Sequence, residues 1–291
     1  MKLRIEFFLA RIVLFTLRRS PRRIALPLGV FYARLLDLLI PRLRRTAFRN
    51  LELAGFPAPQ RKPIVDGVFS SIGRILTLFA RFPDLNRKNI SDWICYDGFE
   101  HFERARARGK GVLFATAHLG NWELSAFAHA LLAEPLHIVV RPLDNPFIDS
   151  LVERRRTLSG NHLIDKTDAA RSILRALRKG EAVGVLIDQN SSASEGVFVD
   201  FFGVKACANA SFARIAAHSG AAVVPGFALW DAQRSRYTLR FYPEVEITGE
   251  PSSDTQRLQT ILENVIRQYP DQWLWIHRRW KTRPSGEAPL Y

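Results

Sequence analysis

Cysteine is almost absent: the 291 residues contain only Cys95 and Cys207, far apart and outside any metal-ligand spacing. A disulfide scaffold is excluded, and a reducing compartment fits such usage. Long clean apolar runs are missing too. The stretch 5–17 is interrupted by Glu6 and Arg11, and 24–40 by Arg34 and Asp37. Neither reaches the roughly 20 uninterrupted apolar residues of a secure membrane span. The same interruptions, the lack of a small-residue cleavage site and the RRSPRR that follows argue against a cleaved signal peptide. No GxSxG elbow occurs, which disfavours a serine hydrolase, and no Walker loop or GxGxxG, which disfavours nucleotide dependence. With no HExxH and no histidine cluster, neither a metal nor a cofactor is expected.

What is present is globular. Hydrophobic residues at 47% and charged residues at 24% exclude wholesale disorder and low-complexity classes. The length suffices for a sizeable core. Charge, however, is unevenly placed. Residues 1–50 hold twelve Lys or Arg against Glu6 and Asp37, so +10 of the net +14 lies there. Arg4, Arg11 and Arg18 recur every seven residues, one narrow stripe on a helix, while Ile5, Phe8, Ile12 and Phe15 line another face. A basic arm suits anionic lipid or nucleic acid. So much Phe, Leu and Ile favours an interfacial helix whose arginines snorkel to phosphates, although helices that merely pack on the domain would share the pattern. Dense positive flanks place this end on the cytoplasmic side. No nucleic-acid recognition motif is seen, and no nucleic-acid partner is expected. The reading is a membrane-association arm over 1–50 and one α/β domain over 51–291.

The body alternates strands and helices. Continuous apolar runs at 111–117, 136–140, 182–188 and 221–229 read as buried strands, with a short strand at 162–164 and a half-exposed one at 237–247. Helices are expected over 64–82, 121–132, 146–158, 168–179, 211–219 and 253–268. Repeated β-then-α units imply a mostly parallel sheet flanked by helices on both faces.

In such sheets chemistry gathers beyond the carboxyl ends of the strands. Three of these ends are unusually polar. After 111–117 comes His118-Leu119-Gly120-Asn121-Trp122-Glu123, where glycine permits a sharp turn and Asn121 can cap the next helix. His118 at the strand tip and Glu123 in the first helical turn can meet, and a neutral histidine held by a carboxylate removes a hydroxyl proton near pH 7. The competing reading is a structural histidine. After 136–140, Arg141 beside a helix start suits an anion, or simply pairs with Asp144 or Asp149. After 182–187, Asp188 ends an apolar strand and needs a partner, for which His118 and Arg141 both serve.

HLGNWE fits the H-x4-D/E signature of the glycerolipid acyltransferase superfamily, and in this form resembles the lipid A late acyltransferases, the lauroyl and myristoyl transferases. The resemblance continues through RPLDNPFID (141–149), LIDQNSSASEGVFVDFFG (186–203), AAVVP (221–225) and YPDQWLWIHRRWKTRP (269–284). Mycobacterial phosphatidylinositol mannoside acyltransferases share much of it. The chain departs at Asp200, where relatives often have Pro, and near Ala208, where they often have Thr.

The resemblance implies transfer of a fatty acyl group from a thioester, usually on acyl carrier protein, to a hydroxyl of a membrane lipid, at the cytoplasmic face of the inner membrane. It implies His118 as general base, Glu123 as its orienting acid and Asp188 as polar support. It implies Arg141 and Arg156 as basic groups for phosphate or the thioester, without an acyl-enzyme. Backbone N–H groups near Gly120 and Asn121 compete with Arg141 as the stabiliser of the developing oxyanion. Trp273, Trp275 and Trp280 among Arg278, Arg279, Lys281 and Arg283 suit a headgroup contact or a carrier-docking patch, or the rings cap the core. A membrane-surface scaffold without chemistry is the non-enzyme alternative, and it has no need of His118 and Glu123 together.

Overall fold

Four helices lead the chain: α1 (Lys2–Arg19), α2 (Arg22–Leu39), α3 (Pro41–Leu53) and α4 (Ala58–Arg81). The computed structural model describes residues 1–291, the side chain of Asp168 excepted. Proline punctuates the helices. Pro21 and Pro57 stand at the N-caps of α2 and α4, and Pro41 in the first turn of α3, where a missing N–H costs nothing. The boundary expected at residue 50 falls inside α3. Helix α2 lies against α4 where two glycines meet: a Cβ on Gly29 would fall 2.0 Å from Thr77 Oγ1 and 2.5 Å from the Gly73 carbonyl oxygen. The inner faces of α1 and α2 carry buried Leu14, Leu17, Ala25 and Ala33, while Phe8, Ile12, Phe15 and Phe31 on the outer faces are exposed. Among the described residues only the segment 58–84 is by itself long and apolar enough to cross a membrane, and 56% of its most apolar window is buried inside the protein.

The α/β body follows as β1 (Ile94–Asp97), α5 (Phe99–Ala107), β2 (Val112–Thr116), α6 (Trp122–Leu132), β3 (Leu136–Val140), α7 (Pro146–Thr157) and β4 (His162–Asp165). Next come α8 (Ala169–Arg178), β5 (Ala182–Leu186), the strands β6 (Gly196–Phe201) and β7 (Val204–Asn209), and α9 (Ser211–Ser219). Strands β8 (Ala222–Asp231) and β9 (Arg236–Phe241) and helix α10 (Pro251–Gln268) complete it. Seven strands form one sheet in the order β1-β9-β8-β2-β5-β3-β4. The five from β8 to β4 are parallel; β9 runs antiparallel to β8, and β1 parallel to β9. One face buries Phe114 and Val224 with Leu124 and Phe127 of α6. The other buries Leu113, Ala115 and Val223 with Ile173 of α8, Phe212 of α9 and Leu258 of α10. The expected mostly parallel sheet, flanked on both faces, is what forms.

Some boundaries and elements differ from expectation. The strand expected over 182–188 ends at Leu186, and that over 237–247 ends at Phe241, just before Tyr242-Pro243. Strand β1, helix α5 and the β6–β7 hairpin are further elements beyond those expected from the sequence. The hairpin turns at Phe202 and Gly203, with φ of 56° and 75°. A phenylalanine rarely adopts that left-handed region. Here its buried ring contacts those of Phe56 and Trp275, with Arg267 above it, and this packing offsets the strain.

Register positions the site. Strands β3 and β5 pair only from Leu136↔Ala182 to Ile138↔Gly184. Beyond that point β3 continues beside β4, as far as Val140↔Asp165, and β5 beside β2, as far as Thr116↔Leu186. The sheet therefore splits at its carboxyl edge, at the switch in strand order where α/β proteins bind ligands.

Candidate active site

Gly120 makes the turn after β2 possible. Its φ is +64°, and a Cβ there would lie 1.9 Å from the Ala228 carbonyl oxygen, so only glycine fits. Asn121 then caps α6, its side-chain oxygen accepting from the Leu124 N–H at 3.0 Å. This turn holds His118 at the sheet edge, with the Trp122 ring edge-on at 4.9 Å.

The partner of His118 is Asp188. The carboxylate accepts from the His118 backbone N–H at 3.0 Å and sits 2.9 Å from its Nδ1, and it also accepts from Trp273 Nε1 at 2.8 Å. Because an ionised carboxylate can only accept, Nδ1 carries the proton and Nε2 keeps the lone pair. Burial opposes a charge on His118. The attraction of Asp188, their hydrogen bond and the nearby Glu123 outweigh it, so its pKa is raised above the ordinary histidine value. Burial likewise works against the Asp188 charge, but His118 and the donors around the carboxylate prevail, and its pKa is lowered. The pair is a mutually stabilised dyad, with Asp188 buried and His118 half-buried at the cavity.

Glu123 does not hold the imidazole. Its two oxygens accept from Arg156 Nε at 2.9 Å and Nη2 at 2.5 Å, a forked pair between α6 and α7. The reason is reach: Arg156, in the last turn of α7, comes across to the first turn of α6, while Asp188 already fills the Nδ1 side of His118. Glu123 acts on His118 through its field rather than by contact. Asn121 is fully buried as the helix cap and presents nothing to solvent. The N–H groups of Gly120 and Asn121 are committed, to the Gln272 and Ala228 carbonyls at 2.9 and 2.8 Å, so neither serves an oxyanion. Arg141 is exposed at the rim and pairs with Asp144 at 3.2 Å.

These groups border a cavity of about 1060 Å³. It reaches both faces of the sheet through the split between β3 and β5. On the α6 face it is lined by His118, Thr116, Phe114, Gly184, Ile138 and Phe241, together with the stripe Trp122, Ser125, Ala126 and His129. On the other face, Ile173, Val185 and Phe212 lie below a polar rim that includes Lys166, Arg171, Asn190 and Ser211. Arg141, Glu123 and Arg156 also line the cavity.

The C-terminal segment is part of the site's interior rather than its surface. Trp273, Trp275 and Trp280 are buried, and so is Arg279, which donates to the Cys207 carbonyl at 2.7 Å and to Gln259 Oε1 at 3.1 Å. They do not form an aromatic surface for membrane or carrier. Burial pushes the Arg279 pKa down to about 10. His277 lines the cavity and accepts from the Asn190 N–H at 3.1 Å. Trp273 as a ligand of Asp188 carried no local signal, because it reaches the site through an isolated bridge to Leu119.

Fold and site together define an α/β enzyme with a histidine–carboxylate dyad at the head of a cleft of mixed apolar and polar lining. The chain matches the family described as bacterial lipid A biosynthesis acyltransferase over residues 2–282, and it belongs to that family. It is accordingly an O-acyltransferase of the late lipid A type. It is 33% identical over 262 residues to the lipid A biosynthesis palmitoleoyltransferase of Escherichia coli (strain K12), an alignment covering 87% of this chain and 83% of that protein. It is 31% identical to the lauroyltransferase of the same organism, covering 96% and 92%, and 26% identical to its myristoyltransferase, covering 85% and 78%.

Proposed function

We propose that the chain transfers a fatty acyl group from an acyl carrier protein thioester to a hydroxyl of a lipid A precursor, with His118 as general base. The observation that carries this reading is the dyad itself: Asp188 fixes Nδ1–H, so Nε2 is the basic atom at the cavity. His118 takes the acceptor's hydroxyl proton as its oxygen attacks the thioester carbon. The C–S bond then breaks, and the proton passes from His118 to the departing thiolate. No acyl-enzyme is needed, because a thioester is reactive enough for direct attack by an activated hydroxyl. With the Gly120 and Asn121 amides committed, the donors left for the carbonyl oxygen are the first-turn N–H groups of α6, at Trp122 and Glu123. Arg141, Lys166 and Arg171 at the rim suit the phosphates of carrier and acceptor.

The helices of 1–50 form the membrane-association part in this reading. Their outward apolar stripe, from Phe8 and Phe15 on α1 to Phe31 and Leu38 on α2, is interleaved with arginine, as an interfacial helix on the cytoplasmic face of the inner membrane requires. A glycolipid acceptor of another kind with an acyl-CoA donor is the alternative reading. Purified protein incubated with acyl carrier protein thioesters, acyl-CoA and a panel of lipid A precursors and phosphatidylinositol mannosides, read by mass, separates the two. We expect one acyl increment on the lipid A precursor. An increment only on the other lipids, or none from folded protein, overturns the reading.

A further inference from the structure

A strand interior is a poor place for glycine, which weakens the strand unless its missing side chain serves a purpose. Gly184 is in the middle of β5, paired with Phe114 of β2 and Ile138 of β3. Its φ lies outside the left-handed region, so the backbone does not require glycine. No close approach requires it either: a Cβ built there meets no atom within 4 Å. What the glycine supplies is empty space, and that space belongs to the cavity.

The side of the sheet decides what the space is for. Side chains alternate across a strand, so Thr116, Phe114, Gly184 and Ile138 share the face that α6 covers. His118 is on that face too. Across from them Trp122, Ser125, Ala126 and His129 recur at helical spacing and line the same cavity. From Trp122 to His129 this lobe runs about 10 Å along the helix at about 1.5 Å per residue. Its far end is closed by rings: His129 lies 5.2 Å from Phe114 and 5.8 Å from Phe241, centroid to centroid. A lobe that starts at the base, is walled by Phe114, Ile138, Phe241 and Ala126 between its few polar side chains, and ends at aromatic rings suits an extended hydrocarbon chain.

We propose that this α6-side lobe holds the donor's acyl chain and that Gly184 sets how long a chain it accepts. The proposal rests on the acyltransferase reading above. With hydrogen at this position, the chain lies over Gly184 on its way to the rings that close the lobe. A side chain here stops it short.

The test replaces Gly184 by Ala and by Leu in the full-length protein and compares saturated acyl carrier protein thioesters of eight to sixteen carbons. Because the added atoms meet open space, both variants should melt at or above the wild-type temperature. Gly184→Leu should move the preferred length down by two or more carbons. Each methylene without a place should lose about fourfold in relative kcat/KM, which corresponds to about 0.8 kcal/mol. Gly184→Ala should produce a smaller shift in the same direction. A second arm measures how free fatty acids of the same lengths raise the melting temperature, and needs no turnover. If wild-type protein turns over no thioester, the acyltransferase reading fails, and this arm alone decides whether the lobe binds chains by length. Unchanged length preference in folded Gly184→Leu overturns the proposal. So does a shift produced by Val185→Phe, on the opposite face, and not by Gly184→Leu.

Discussion

The two ends of the α6-side lobe each present a histidine, half-buried at the mouth and fully buried at the closed end, and the two behave oppositely. His118 at the mouth has a carboxylate within 2.9 Å and a raised pKa. His129 at the closed end has no carboxylate partner among the described residues. Its Nδ1 lies 3.4 Å from the Tyr96 hydroxyl, its Nε2 has no partner among the described residues, and the rings of Phe102, Phe114 and Phe241 surround it. Burial, with a smaller push from Arg106, drives its pKa down to about 3, so it is neutral at any physiological pH. Burial alone makes a histidine an inert polar ring. A fixed carboxylate makes it a base with a defined tautomer.

Removing the base should break this comparison most severely. We expect His118→Ala to lower kcat by about 10²–10⁴-fold, the contribution of a positioned general base. Steady-state acyl transfer by folded protein checks it, and near-wild-type turnover would discard the mechanism. Next in size is Asp188→Asn. The active form of His118 is neutral, so a raised pKa places the acid limb of the kcat/KM–pH profile above the ordinary histidine value of about 6.5. Without the carboxylate, burial dominates as it does at His129. The acid limb should then move to lower pH while kcat at the plateau falls by about 10²-fold, the lower end of a positioned base's contribution. An unmoved limb would show that Asp188 does not set the charge of His118. The smallest effect is expected from His129→Phe. It should leave the acid limb in place and raise stability by about 1 kcal/mol in thermal melts, since an unsatisfied buried nitrogen is replaced by a ring of similar shape. A loss of stability would mean that the nitrogen has a partner, such as a bound water.

How far the sequence reveals this arrangement depends on whether a feature is local. Strands β2 and β5 are legible because a parallel strand covered on both faces is a continuous apolar run, as in Val112–Thr116 and Ala182–Leu186. The β6–β7 hairpin is not, because its turn uses Phe202 where Asn or Asp would signal it. His118, Asp188 and Glu123 stand out as polar residues after apolar strands or in the first helical turn. The sequence offers His118 two carboxylates, Glu123 and Asp188, and does not choose between them, since the choice depends on β5 being inserted between β2 and β3 and on Arg156 arriving from α7. The family resemblance points to Glu123, five residues away, as the partner of His118. The strand order favours Asp188, seventy residues away.

Asn145 joins two jobs in one side chain. Its oxygen caps α7 through the Phe147 and Ile148 N–H groups, and its amide donates to the Leu3 carbonyl at 2.8 Å and to Glu6 at 3.0 Å on α1. Fully buried Asn50 of α3 likewise donates to the carbonyls of Trp275 and His277, both at 2.6 Å. The leading helices are therefore clamped at one end to the helix that supplies Arg156 and at the other to the segment that supplies Trp273. For anyone seeking a soluble version of this protein, trimming the first fifty residues is the wrong operation. It strips both clamps along with the greasy surface. Repainting the outward positions Phe8, Ile12 and Phe15 with polar residues leaves the clamps in place, so solubility and an intact dyad become separable properties.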